Sequence, residues 1–332
     1  MSRRLSLLAA AWDRALRPSA GTAHRTPELL CLNYHRVATD VSGDDGVVSA
    51  RPAEFEWQVS WLRAHVPLLG GDDVAELARR AKSLAGQAAC LTFDDGYADN
   101  YDVGVSLARR HGVRATFFIA TGFIETGTIP WWDRISYALK RTSRTQLRVR
   151  AVAGRAPWTI DVADRKTAVD AAKALCRRLP PAEQPAFVDA VEEAAGVAAS
   201  DGGLAGLFMS WDQIRELHRL GHTIGAHTHS HPKLSALDPD AQRRELERSK
   251  RELEERLGEP VHLVAYPYGT RDAFDDATQQ IAAGCGFAAA FSFYGGRNAV
   301  PLRRPHDLRR MPVDRDFPRT AFTARLTSRF PF

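Results

Sequence analysis

The chain has 332 residues, 44% hydrophobic and 26% charged, an ordinary balance for a soluble globular protein and enough for one large α/β domain or two small ones. Its net charge is +5 with scattered arginines. No basic helix with base-reading residues and no aromatic–basic interleaving is present, which excludes nucleic acid as the expected partner. None of the four cysteines, Cys31, Cys90, Cys176 and Cys285, belongs to a C-x-x-C pair, which excludes a disulfide framework and fits a reducing compartment.

The opening stretch MSRRLSLLAAAWDRALRPSAG places Leu5, Leu8, Trp12 and Leu16 on one face of an amphipathic helix. Its apolar run stops at Asp13 and Arg14, short for a secretion signal. Residues 1–27 are therefore expected to form an extension, with residues 1–20 in contact with a membrane surface or docked on the protein. No segment reaches the ~18 apolar residues of a membrane-spanning helix. The expected location is cytoplasmic, with membrane-peripheral attachment as the variant.

LLCLNY (29–34) reads as a buried strand, PAEFEWQVSWLRAH (52–65) as a helix opened by proline, and DDVAELARRAKSL as the next helix. AACLTF (88–93) is a second buried strand that runs straight into Asp94 and Asp95. Residues 100–110 read as a helix stopped by Gly112, and RATFFIA (114–120) as a third strand. Strand, helix, strand at this spacing is the mark of a parallel sheet. Residues 142–206 interrupt the order. TQLRVRAVAGRAPWTIDV alternates like a hairpin around Gly154, and two helices separated by Pro180 and Pro181 follow.

Regular order resumes at SWDQIRELHRLG (210–221), with Ser210 as N-cap and Gly221 as stop. HTIGA is a strand leading into HTHSH (227–231). DPDAQRRELERSKRELEERLG (238–258) is a long charged surface helix. VHLVAYPYG and FAAAFSF (287–293) are further strands. The succession predicts an α/β fold, a (β/α) barrel, distorted or incomplete. Its parts are expected at 28–141 and 207–332, with 142–206 as an inserted cap or decoration.

Three strand ends carry polar clusters: Asp94-Asp95, His227 to His231, and Tyr268-Gly269. In parallel α/β folds the carboxyl ends of strands share one face. Two histidines four apart plus a carboxylate leave open positions for water, the composition of a catalytic zinc site. Singly, each piece has an ordinary reading. Paired aspartates cap helices, histidine pairs occur in loops, and PYG makes a turn.

Together, TFDDG (92–96), HTHSH (227–231) and AYPYG (265–269) resemble the motifs of NodB-homology polysaccharide deacetylases, carbohydrate esterase family 4. The resemblance spans most of residues 29–313 apart from the insertion. It implies Asp94 as catalytic base and Asp95, His227 and His231 as ligands of a divalent metal, zinc first, with cobalt and nickel acceptable to the same set. Thr228 and Ser230 would brace the loop, and His229 would line the pocket. The Tyr268 N–H would donate to the oxyanion. The arginine of the third motif is replaced by Ala265, and the usual late acid histidine is missing. LLCLNYHRV resembles the permuted poly-N-acetylglucosamine deacetylases, with His35 as general acid and His306 as its rival. Arg310 of LRRMPV stands in for the missing arginine. PWWDRISYAL resembles a further family segment, so Trp131, Trp132 and Asp133 are expected to bind sugar, against core packing as the plain alternative. The implied activity is metal-dependent release of acetate from an N-acetylated amino sugar or glycan. An amidohydrolase of non-sugar amides or cyclic imides and an inactive glycan-binding domain are the alternatives.

Overall fold

The structure is a computed structural model that describes residues 27–80, 83–152 and 156–327. The amphipathic-helix reading of the N-terminus falls outside the described residues, as does Gly154. In chain order the elements begin with β1 (Glu28–Tyr34), α1 (Pro52–His65), α2 (Gly71–Arg80) and β2 (Gln87–Phe93). α3 (Asp99–Ser106) passes into a wider turn over Leu107–His111 and ends at Gly112, whose φ of 60° is the left-handed stop a helix C-terminus needs. Next come β3 (Thr116–Ile119), α4 (Thr121–Thr126) and α5 (Trp131–Arg141). The insertion supplies β4 (Gln146–Val149), β5 (Trp158–Asp161), α6 (Arg165–Arg178) and α7 (Gln184–Ala195). The chain ends through α8 (Trp211–Arg219), β6 (Thr223–Ala226), α9 (Pro239–Leu257), β7 (Leu263–Ala265), α10 (Asp276–Gly284), β8 (Ala289–Phe291), β9 (Arg310–Pro312) and α11 (Arg319–Thr327).

The main sheet runs β8-β7-β6-β3-β2-β1, and β9 adds in parallel to the free side of β1. Leu308, just before β9, exchanges backbone hydrogen bonds with Ala290 and Ser292 at 2.9 Å each. The segment 308–312 thus touches both edges and curls the sheet into a distorted barrel, which removes the exposed edges an open sheet would carry. Parallel strands buried on both faces read as continuous apolar runs, and β1 and β2 are such runs. Their alternation still sorts the side chains. Leu30, Leu32, Tyr34, Ala89, Leu91 and Phe93 pack against the outer helices. Leu29, Cys31 and Cys90 meet Phe118, Ala265 and Phe291 inside the barrel.

α2 closes the amino-terminal mouth. A Cβ on its first residue, Gly71, would lie within 3 Å of Thr116, Thr223 and Leu263, the first residues of three strands. Only the carboxyl ends are left to form a site. The insertion folds on its own apolar cluster, in which Leu147, Val149, Ile160, Phe187 and Val191 pack with Ile135, Ala138 and Leu139 of α5. α5, in the first part of the barrel by sequence order, thus shares its apolar face with the insertion, while its Trp132 packs on Ala120 and Phe123. Gln146–Val149 and Trp158–Asp161 pair antiparallel. All four cysteines are free.

Candidate metal centre and active site

β2 delivers Asp94 and Asp95 in different directions. Asp94 continues the inward face of Cys90 and Thr92, while Asp95 takes a left-handed φ of 73°. Thr228, His231 and Tyr268, at φ 60°, 58° and 60°, are the other non-glycine residues with positive φ among the described residues. Such conformations cost of order 1–3 kcal/mol each and persist where surrounding structure enforces them. All four sit at the three strand ends singled out by the sequence. The turn at Tyr268 also ends β7 at Ala265, short of the strand expected through Gly269.

Asp95, His227 and His231 are buried, and one ligand atom from each lies within 4.8 Å of the others. The Nε2 atoms of both histidines stand 3.3 Å from Asp95 Oδ1. His227 Nδ1 lies 2.8 Å from the Ala265 carbonyl oxygen, which can only accept, so this nitrogen carries the proton. A neutral His227 then turns a lone pair toward a carboxylate oxygen. Asp95 Oδ1 has no geometrically sound hydrogen bond among the described residues. Opposed lone pairs in a buried site call for a cation between them. The donor set, two imidazoles and a carboxylate, suits zinc and related divalent metals. Without an ion, burial works to raise the Asp95 carboxyl, and His227 and His231 overcome it and hold it well below the usual carboxylate range. Burial pushes the His231 imidazole down; it works the same way on His227, where the Asp94 and Asp95 charges win and raise it.

Asp94 is gripped from two strands. Arg310 Nη1 donates to Oδ1 at 2.6 Å and Nη2 to Oδ2 at 2.7 Å. Asn33 Nδ2 donates to Oδ2 at 2.8 Å. Arg310 is 0% exposed and its Nε donates to the Ser292 carbonyl, so its own orientation is set by the segment that follows β8. Burial works to raise the Asp94 carboxyl, but Arg310 and His227 outweigh it, and the group lies below its ordinary range.

His35 shares the face of Asn33, two residues on. Its ring lies 5.8 Å from that of Phe293, its backbone is tied to Ser49 and Asn100, and its charge would act on both Asp94 and Asp95. His306 stands elsewhere, with Nε2 2.9 Å from the Phe287 carbonyl. Tyr268 presses its ring on His231 at 5.2 Å, and its N–H has no intramolecular acceptor among the described residues.

Three expected sugar-binding side chains are placed otherwise. Asp133 is 0% exposed and accepts from the Asp44 N–H at 2.7 Å and the Tyr97 hydroxyl at 2.8 Å. It pins a loop and offers nothing to a ligand. Trp132 is buried, donates from Nε1 to Tyr97 Oη at 2.8 Å, and walls His231 at 5.1 Å. His229 turns its Nδ1 to Thr121 and Glu252 at 3.0 and 3.1 Å, against α4 and α9 rather than the ligand group. Alternation would put His227, His229 and His231 on one face, but the strand ends at Ala226 and the left-handed turns at Thr228 and His231 break that pattern and turn His229 toward the outer helices. Trp131 alone stays half-buried at the rim, its Nε1 donating to Tyr268 Oη at 3.3 Å.

Sequence reasoning missed Asn33, Glu245 and Tyr97. Asn33, a polar residue inside an apolar strand and in phase with His35, was a usable signal. Glu245 was not. It lies in a helix full of paired charges, yet its carboxylate accepts from the N–H groups of His229 and Ser230 and from Ser230 Oγ, at 2.9, 2.8 and 2.7 Å. With the His231 N–H donating to Thr228 Oγ1 at 3.1 Å, it clamps the loop between His227 and His231.

The sequence profile of the polysaccharide deacetylase family matches residues 81–290. That span holds Asp94, Asp95, His227, His231 and Tyr268 and leaves out β1 and β9, which lead to His35 and carry Arg310. The protein YxkH of Bacillus subtilis (strain 168), whose name carries the same family term, is 27% identical over 110 residues, 33% of this chain and 35% of its own length. The chain thus spans about a third of that curated relative. Among solved structures, the Streptococcus pyogenes deacetylase PplD in complex with acetate superposes with TM-score 0.60 at 17% identity, covering 91% of this chain and 100% of that one. A de-N-acetylase from Aggregatibacter actinomycetemcomitans gives 0.56 at 16% identity, covering 90% and 99%. IcaB from Ammonifex degensii gives 0.54 at 19%, covering 92% and 99%. These likenesses show a common distorted-barrel fold, and with the profile match over most of the barrel and the motif residues gathered at its carboxyl ends, this chain belongs to the polysaccharide deacetylase family.

Proposed function

We propose that the protein is a metal-dependent N-deacetylase that hydrolyses the acetamide of an N-acetylated amino sugar or glycan. The observation that carries this reading is the convergence of Asp95, His227 and His231 beside an Asp94 carboxylate held by Arg310 and Asn33. A divalent metal held by Asp95, His227 and His231 would polarise the acetyl carbonyl and acidify a water.

The remaining chemistry falls to the chain's own groups. Asp94 stays ionised because Arg310 and His227 outweigh burial. Its Oδ1 takes one bond from Arg310 and keeps a second lone pair for the proton of the attacking water. As the water oxygen bonds to the acetyl carbon, the Tyr268 N–H faces the developing oxyanion. His35 then gives its proton to the departing nitrogen as the C–N bond breaks, yielding acetate and a free amine.

The test is acetate release from an N-acetylglucosamine oligomer, with bound metal measured in parallel. Asp94→Asn should keep the metal and lose about 10²–10⁴ in rate. His35→Ala should lose amide hydrolysis and keep more of the hydrolysis of an activated ester, whose leaving group needs no proton. Normal turnover in metal-loaded Asp94→Asn removes Asp94 from the base role. The ester pattern in His306→Ala instead of His35→Ala removes His35 from the acid role.

A further inference from the structure

The insertion reaches the rim of the site through the last turn of α6. The guanidinium carbon of Arg177 lies 5.7 Å from the centroid of the Trp131 ring, within cation–π range. Trp131 is fixed in turn by its hydrogen bond to Tyr268 Oη, and the Tyr268 ring lies against His231. Contacts therefore run outward from the ligand group through His231, Tyr268 and Trp131 to Arg177. The Arg177 charge also acts on the Tyr268 phenol.

Arg177 is exposed and, among the described residues, has no carboxylate within ion-pair distance. Three basic neighbours along the seam are engaged. Lys173, one turn earlier, is paired with Asp44. Arg134 on α5 is paired with Asp189 and Glu192. Arg165 at the start of α6 donates to the carbonyls of Leu139, Lys140 and Thr142. A guanidinium over an indole ring keeps the N–H groups along its edge free, and those groups match a carboxylate or phosphate.

We propose that Arg177 and Trp131 form an anion subsite at the mouth of the site, so that the preferred substrate carries a phosphate or carboxylate next to its acetamido sugar. This rests on the deacetylase reading and names the substrate class within it. The insertion thereby supplies specificity, which the barrel's own strand ends do not encode.

Acetate release is measured with three acceptors: neutral di-N-acetylchitobiose, N-acetylglucosamine 1-phosphate for a phosphate, and N-acetylmuramic acid for a carboxylate. One of the anionic acceptors should be preferred, and the better one identifies the source. Arg177→Ala should raise KM for it about tenfold or more with kcat little changed, leave the neutral acceptor unaffected, and be partly rescued by Arg177→Lys. Preference for the neutral acceptor, or equal losses on charged and neutral acceptors in Arg177→Ala, overturns the subsite. Calorimetric binding of N-acetylglucosamine 1-phosphate and N-acetylmuramic acid separates the two readings. Binding of either that weakens in Arg177→Ala without acetate release from any acceptor sinks the deacetylase reading and keeps the subsite. Binding unchanged by Arg177→Ala, or none of either acceptor, sinks the subsite whatever the turnover.

Discussion

The Asp133 carboxyl is fully buried, and burial pushes its pKa up to about 7, against the Asp44 N–H and the Tyr97 hydroxyl, which lower it. Between the ordinary carboxyl range and about pH 7 the folded protein holds a proton that the unfolded chain has lost. The contribution of this group to stability is thus complete below the ordinary carboxyl range and is lost as pH rises to about 7. Asp133→Asn removes that dependence and keeps an acceptor for Asp44. In urea unfolding, the stability of Asp133→Asn relative to the parent should climb from pH 4 to 7 and level off above. A difference that stays flat with pH sinks the assignment. At this scale the sequence was informative where function follows backbone position and less so where it follows partners. Asp94, Asp95, His227 and His231 lie at strand ends, and a strand end can be read locally. The partners of Asp133, residues 44 and 97, could not be, and its WWD context suggested a sugar site where the structure shows a buried pin.

α6 docks on the barrel through one buried ion pair. Lys173 and Asp44 are 5% and 2% exposed, and Asp44 also accepts from the Gly46 N–H at 2.9 Å. Asp44 in turn meets Asp133, so the insertion is linked to the wall of the site through Tyr97 and Trp132. Removing one partner strands a buried charge, which costs about 3–5 kcal/mol, whereas replacing both is often near neutral. Lys173→Met should therefore destabilise strongly, and Asp44→Asn/Lys173→Met should recover more than half of the loss, measured as a double-mutant cycle in urea. Additive losses count against the pair as the dock. Elements themselves were legible, because period and caps are local. Ser210 is the expected N-cap and forms a capping box with Gln213, and Asp238 caps α9. Their membership was not. α5 falls in the first part of the barrel in sequence order, yet most of its apolar stripe packs on α6, α7 and the hairpin, while Trp132 meets Ala120 and Phe123.

If Asp95, His227 and His231 hold a metal, the ion ties β2 to β6 across the mouth of the barrel, and its affinity adds to the stability of the whole molecule. A ligand at 100 times its dissociation constant contributes about 2.7 kcal/mol. Chelation should lower the midpoint of thermal unfolding, and zinc should restore it. His231→Ala should abolish the response, while His229→Ala, whose ring faces Glu252, should retain it. A chelator-insensitive parent, or a response lost only in His229→Ala, shows that the ligand set is wrong.

Most strands and helices, and the residues that stand where a strand stops, were legible in the sequence alone, since these depend on neighbours within a few positions; β9, α4 and α11 were not. The sequence also singled out Arg310 as the replacement for a missing motif arginine. Closure of the sheet decided what that replacement meets. Asp94 and Arg310 are 216 residues apart and become neighbours because β9 pairs with β1 while Leu308 bonds to β8. Asn33 faces Asp94 because β1 and β2 pair in register. Glu245 reaches the histidine loop because α9 packs beside β6. Each of these contacts is selected by strand order and barrel curvature, which are properties of the closed sheet that no single stretch of chain carries.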